Sequence, residues 1–168
     1  MNEILIIIPT YNEAQNITKL INSINDLGLN NLDFLVIDDN SPDGTSDIVK
    51  NMMNDNINLI IQESKKGLGT AYKRGFKWAI ERNYDKIIQI DADLSHDPQS
   101  IPSLISESEK YDLVIGSRYI NGINVINWPM SRLLLSYFAN KYVKFFTRLR
   151  INDSTSGYKC INTRVLKK

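Results

Sequence analysis

Asp91, Asp93 and Asp97 crowd into one short stretch, IDADLSHDP (Ile90–Pro98), together with His96, the only histidine of the chain. Asp91 and Asp93 are two positions apart, so on extended backbone their side chains share a side. Two close carboxylates raise each other's pKa, and a divalent cation removes that conflict. Hard cations such as Mg2+ or Mn2+ prefer carboxylate oxygen, and magnesium is commonly held by one or two carboxylates plus substrate phosphates. The small Ala92 between the two acids is expected to let a ligand approach. The competing explanation for such acids is helix capping. Asp97-Pro98 has that form, an N-cap followed by proline at the first helical position, whereas neither Asp91 nor Asp93 is placed for it. His96 is open to two readings, a ligand or base and a structural hydrogen-bonder, and no Ser/His/Asp or Cys/His set accompanies it. GLGTA (Gly67–Ala71) lacks the GxxxxGK[ST] spacing of a phosphate loop, so tight entry into a helix competes with phosphate binding there.

These residues need elements to hold them. Apolar runs at Ile4–Ile8, Phe34–Ile37, Leu59–Ile61, Ile87–Ile90 and Leu113–Ile115 have the length and β-branched content of strands buried on both faces. Helical patterns alternate with them: Glu13–Leu27 with Gly28 as its C-cap, Thr45 or Ser46 to about Asn54, Gly69–Arg82, and Gln99–Tyr111. Strand–helix–strand alternation predicts an α/β fold with a mainly parallel central sheet. Ligands bind at the carboxyl ends of the strands in such sheets. Three polar clusters fall at such ends: PTYNE (Pro9–Glu13), DDNSPDGT (Asp38–Thr45) and DADLSHDP. After Gly116 the chain changes character, with Trp128-Pro129 leading into a helix, about Pro129–Leu149, rich in aromatic, aliphatic and basic residues.

At 168 residues the chain is long enough for one domain with a core, and 42% hydrophobic and 23% charged content is ordinary for a globular protein. A net charge of +1 argues against a nucleic-acid partner. One cysteine, Cys160, forbids an internal disulfide and suits a reducing compartment. Glu3 and the short run Ile4–Ile8 do not make a secretory signal, and no window is long and apolar enough for a transmembrane helix.

The blocks PTYNE, DDNSPDGT, KGLGTAY, DADLSHDP, GSRY, WPMSR and DSTSGYK occur in the order found in dolichyl-phosphate (polyprenyl-phosphate) mannosyltransferases, within family 2 of the nucleotide-sugar glycosyltransferases. The chain resembles that family over essentially its whole length. A DxD motif alone says little, but seven ordered blocks are specific. The resemblance implies a GT-A type, Rossmann-like nucleotide-sugar-binding domain spanning residues 1–168 as a single catalytic unit. It implies inverting transfer of mannose from GDP-mannose to a polyprenyl (dolichyl) monophosphate, with Mg2+ or Mn2+. Carried over block by block, Pro9, Tyr11, Glu13, Ile37 and Asp39 are similar to the nucleoside site. Asp91, Ala92 and Asp93 match the diphosphate and metal motif, with Asp93 the expected direct ligand. Ser95 stands where some members have a further ligand, glutamine. Arg118, Arg132 and Ser136 resemble the set that grips the lipid phosphate, and Lys159 a basic residue near the donor diphosphate.

The chemistry agrees with that resemblance. A phosphate acceptor is already ionised at neutral pH, so it needs no general base of the kind a hydroxyl acceptor requires. It needs cationic positioning instead, and arginine forks suit phosphate oxygens. The long helix near residues 129–149 reads either as an interfacial helix at a membrane surface or as an ordinary packed helix. The resemblance also implies peripheral attachment at the cytosolic face of a membrane, with a membrane-anchoring subunit as a conceivable partner. Family members usually continue past SGYK, so the chain is expected to be short at its C-terminal end. Two alternatives remain open: a polyprenyl-phosphate transferase using another donor such as UDP-glucose, and an inactive nucleotide-binding module.

Overall fold

The computed structural model describes residues 4–118, 130–148 and 151–167; the side chains of residues 130–134 and 137 lie outside that description. Most of the WPMSR block, including the Arg132 side chain, is therefore outside the described residues.

Six strands form one sheet: β1 (Ile4–Thr10), β2 (Leu32–Asp38), β3 (Ile57–Ile61), β4 (Lys86–Gln89), β5 (Leu113–Ile115) and β6 (Lys159–Asn162). Their spatial order is β3-β2-β1-β4-β6-β5. β1, β2, β3 and β4 run parallel, and β6 is antiparallel to both β4 and β5. The five apolar runs all became strands. β6 is not among the strands the sequence predicts, because KCIN is short and has polar ends. Its consequence for the site is large. An antiparallel strand brings its amino end to the rim where parallel strands end, so Lys159 pairs with Gln89, the last residue of β4.

The pleat sorts the core. Ile4, Ile6 and Ile8 of β1 face one side, under α1 (Ile17–Asn25), α2 (Thr45–Met52) and α4 (Ile101–Glu107). Leu5 and Ile7 face the other, under α3 (Leu68–Glu81). α3 lies close to the sheet at Gly75, where an added Cβ would stand 2.7 Å from Ile7 Cδ1. The last helix, α5 (Met130–Thr147), is reached beyond the undescribed segment. α1 ends at Asn25 with Asp26 as its C-cap, two residues before the expected stop at Gly28, which takes φ +64° in the turn that follows. Asp97 caps the short 3-10 turn Pro98–Ser100 by accepting from Gln99 N at 3.0 Å, as its sequence predicts.

Candidate active site

Two loops at the ends of β1 and β2 are sewn together by side chains. The Asn12, Glu13 and Ala14 N–H groups donate to Ser41 Oγ (3.0 Å), Thr45 Oγ1 (2.9 Å) and Asp43 Oδ2 (3.0 Å). Asp38, fully buried, organises the base of this knot: it accepts from Thr10 Oγ1 at 2.8 Å and from Ser41 N at 2.8 Å. These bonds satisfy backbone donors that the strand ends leave over. They also fix Tyr11 and Glu13 at the rim. Lys65 Nζ lies 3.6 Å above the Tyr11 ring, a cation–π contact. Asp39 is buried beside them. Its Oδ1 accepts from Gln62 Nε2 and its Oδ2 from Gly67 N at 2.8 Å. Gly67 itself holds φ +83° at the entry to α3.

At the end of β4 the chain turns sharply, with Leu94 at φ +58°. Asp93 is exposed, and its Oδ1 accepts from Ser95 N at 3.0 Å, which closes the turn. Asp91 is held from two sides. Tyr72 Oη of α3 donates to Oδ1 at 3.2 Å, and His96 Nε2 lies 3.5 Å from Oδ2. Burial raises the Asp91 pKa, but His96, Tyr72 and the positive charge of Arg118 outweigh it and hold the carboxyl below its ordinary value. Burial, then the Asp91 charge, push the Tyr72 phenol far up, so it stays a donor. Glu13 titrates high. Burial comes first, and repulsion from Asp93, Asp43 and Asp91 adds to it. Acids from three strand ends thus share one field.

That field fits a divalent cation. Among the described residues no three His, Cys, Asp or Glu side chains form a complete ligand set. A cation at Asp91 and Asp93 would fill its shell from a bound diphosphate, the usual arrangement for magnesium.

Arg118 is buried just past β5. Its Nε donates to Asp153 Oδ2 at 2.7 Å, and its Nη2 to Asp153 Oδ1 at 2.6 Å and Thr155 Oγ1 at 2.7 Å. Ser136 Oγ of α5 lies 3.2 Å from the same Thr155 hydroxyl. Asn140 pins α5 to this segment, donating to Asp153 Oδ1 at 3.3 Å and accepting from Ser154 N at 2.7 Å. Burial raises the Asp153 pKa, but the Arg118 fork and the Thr155 hydroxyl bring it below the ordinary value.

The sequence model of glycosyl transferase family 2 matches residues 5–168. The chain belongs to that family. This family 2 glycosyltransferase is 37% identical over 166 residues to the undecaprenyl-phosphate mannosyltransferase of Micrococcus luteus, spanning 98% of this chain and 68% of that protein. It is 39% identical over 168 residues to the polyprenol monophosphomannose synthase of Mycolicibacterium smegmatis, spanning 98% of this chain and 63% of that protein. The chain thus covers about two thirds of the length of these relatives. Its fold is similar to glucosyl-3-phosphoglycerate synthase of Mycobacterium tuberculosis, solved with Mn2+ and UDP-glucose: TM-score 0.73, 19% identity, 98% of this chain and 57% of that one. It is also similar to a mannosyltransferase of Pyrobaculum calidifontis, solved with GDP-Man and Mn2+: TM-score 0.64, 18% identity, 98% of this chain and 46% of that one. The expected GT-A α/β architecture is therefore the one observed.

The structure brings Tyr11, Glu13, Asp91 and Asp93 of this family 2 enzyme to one rim, with Lys159 at the adjoining strand end. Pro9 and Asp39 lie just below it. Ile37 is fully buried, and its side chain reaches the underside of α3 near Gly75 rather than the rim. Ala92 differs from its expected part: it is 3% exposed and belongs to the core under α1 and α4, so its small size serves packing and opens no space for a ligand. Arg118 and Ser136 meet through Thr155. Arg132 is one turn before Ser136 on α5, and its side chain lies outside the described residues. Ser95 takes part through its backbone N–H. Sequence reasoning missed Tyr72, Gln62, Asn140 and Asp153 as site-shaping residues. Asp153 lay inside the quoted block DSTSGYK, but nothing local marks an acid as the partner of an arginine 35 positions earlier.

Proposed function

We propose that this chain transfers mannose from GDP-mannose to a polyprenyl monophosphate, with inversion, as a single catalytic unit. The observation that carries this reading is the meeting of unlike charges at one rim. Asp91 and Asp93 follow β4 at its carboxyl end, and Lys159 pairs with Gln89, the last residue of that strand, so acids that suit a cation adjoin a cation that suits a diphosphate. The mannosyltransferase names of the relatives support the same donor sugar and acceptor class.

In this reading Asp91, Asp93 and Ser95 would hold Mg2+ or Mn2+ when the donor diphosphate is bound. The ion supplies Lewis-acid stabilisation of the leaving nucleoside diphosphate. Pro9, Tyr11, Glu13 and Asp39 frame the nucleoside, while Ile37, buried under α3, supports that frame from the core. Asp39, buried and fixed by Gln62 and Gly67, forms the base of that frame and sets the loop that enters α3. Lys159 neutralises diphosphate charge. Arg132 and Ser136 orient the acceptor phosphate, and Arg118, buried and paired with Asp153, holds Thr155 beside Ser136. An acceptor oxygen attacks the anomeric carbon from the face opposite the diphosphate. The new carbon–oxygen bond forms as the bond to GDP breaks, and the electron pair leaves with GDP. No proton has to be removed from the nucleophile, so the residues around it act by charge and position rather than as a base.

A lipid-linked acceptor sits in a bilayer. The outward side of α5 carries Leu135, Phe138, Tyr142, Phe145 and Phe146, all more than half exposed, beside exposed Lys141, Lys144 and Arg148. Such a face suits an interfacial position at the cytosolic leaflet. No described helix is long and apolar enough to cross a membrane.

The test is donor and acceptor choice in one assay. Labelled GDP-mannose and UDP-glucose are offered with either a short polyprenyl phosphate or the corresponding alcohol. The reading expects label on the phosphate lipid from GDP-mannose. Transfer to the alcohol, or preference for UDP-glucose, would overturn it.

A further inference from the structure

We propose that Gly157 and Tyr158, in the segment entering β6, are positioning residues that set the Asp91 carboxylate. The inference rests on the functional reading above in one respect, that Asp91 helps hold the donor-side cation.

Gly157 is glycine for space. Its backbone does not lie in the left-handed region, yet an added Cβ would stand 2.5 Å from Asp91 Oδ2, 3.1 Å from Cγ and 3.2 Å from Oδ1. A methyl group there would meet the whole carboxylate. The carboxylate has little freedom to yield, because Tyr72 Oη holds one oxygen and His96 the other. The histidine is itself fixed by Tyr158. The two rings stack at 5.1 Å with 27° between their planes. Tyr158 Oη donates to Asp97 O at 3.2 Å, tying β6 to the loop that carries His96.

The far side of the segment is equally constrained. Ser156 Oγ donates to Gly116 O at 2.7 Å, and Gly116 N donates to Tyr158 O at 2.9 Å. A Cβ on Gly116 would stand 2.5 Å from Tyr158 Cδ1. Residues 156–158 are therefore clamped on Gly116, two residues before Arg118, while Gly157 and Tyr158 press on Asp91 and His96. One short segment sets the spacing between the acidic rim and the arginine. Residues that orient a metal-binding carboxylate from behind commonly change metal affinity by about 10- to 100-fold when altered.

The test uses the full chain as parent, Gly157→Ala, Asp91→Ala and the double variant. GDP affinity is measured by calorimetry with and without Mn2+, and each melting temperature is recorded. Mn2+ should tighten GDP binding in the parent. In G157A that tightening should weaken by on the order of tenfold, with metal-free GDP affinity kept. In the D91A background, G157A should add nothing, because the group it collides with is gone. If G157A alone does not fold, recovery of folding in the double variant supports the same conclusion. G157A matching the parent in Mn2+ response, or equal damage from G157A with and without Asp91, overturns the inference. A parent in which Mn2+ leaves GDP affinity unchanged contradicts the metal reading itself, and is told apart by needing no variant.

Discussion

Glu13 reports the charge at the rim. Burial first, then the neighbouring Asp93, Asp43 and Asp91, raise its pKa above the ordinary 4.5. A carboxyl harder to ionise when folded costs stability as pH rises from 4.5 through its raised folded value, and the cost persists above it. Glu13→Gln removes that cost while leaving an oxygen to accept from Asn16 Nδ2. The variant should melt above the parent at pH 7, and the difference should vanish as pH falls below the ordinary glutamate value. A melting difference that is flat with pH would show that the acids do not act on Glu13. At this scale the sequence was legible where chemistry is local. The Asp97 cap follows from Asp-Pro, and the acids of DADLSHDP sit at a strand end as their neighbours predict. Ala92 was misread because the alternation of Ile88 and Ile90 continues three residues past the end of β4 and turns its methyl into the core. The grip of His96 and Tyr72 on Asp91 was illegible: Tyr72 comes from a helix 19 positions earlier, brought there only by packing.

At the scale of elements, the weight falls on the Arg118–Asp153 pair. It joins the end of β5 to the segment before β6, and Asn140 adds α5 to the same acid. Both charges are buried. Removing one partner of a buried pair strands the other, at a cost of about 3–5 kcal/mol. Asp153→Asn should therefore lower unfolding stability by on the order of 3 kcal/mol at pH 7, measured in urea. The Asp153 pKa is depressed below 3.8, so the contribution of the pair is fully present above that value and lost as pH falls through the lower folded value. The gap between variant and parent should close on that acid limb. An equal gap at pH 7 and pH 3 would contradict this account of the pair. The parallel strands and α1–α4 were readable from periodicity because each buries its own apolar stripe. β6 was not, since KCIN gains its strand character from β4 and β5 on either side rather than from its own composition.

At the scale of the whole molecule, two regions of opposite character adjoin. The strand-end rim is acidic, polar and tied down by loop hydrogen bonds. α5 is anchored at Ser136 and Asn140, but nearly every described residue from Lys141 to Arg148 is exposed, aromatic rings included. Exposed apolar patches of this kind mark interaction surfaces. Replacing both Phe145 and Phe146 by Asp should reduce sedimentation with anionic lipid vesicles by on the order of tenfold, while GDP binding with Mn2+ stays as in the parent. Vesicle binding untouched by the double change would remove α5 as the membrane contact.

The most direct measurement is transfer of radiolabelled mannose from GDP-mannose to a short polyprenyl phosphate, followed with Mn2+, with EDTA, and with Asp93→Ala. The account predicts labelled lipid phosphate in the first case only, with the variant reduced by at least on the order of a hundredfold. Equal transfer in EDTA, or an Asp93→Ala variant as fast as the parent, would contradict a cation held at the ends of these strands.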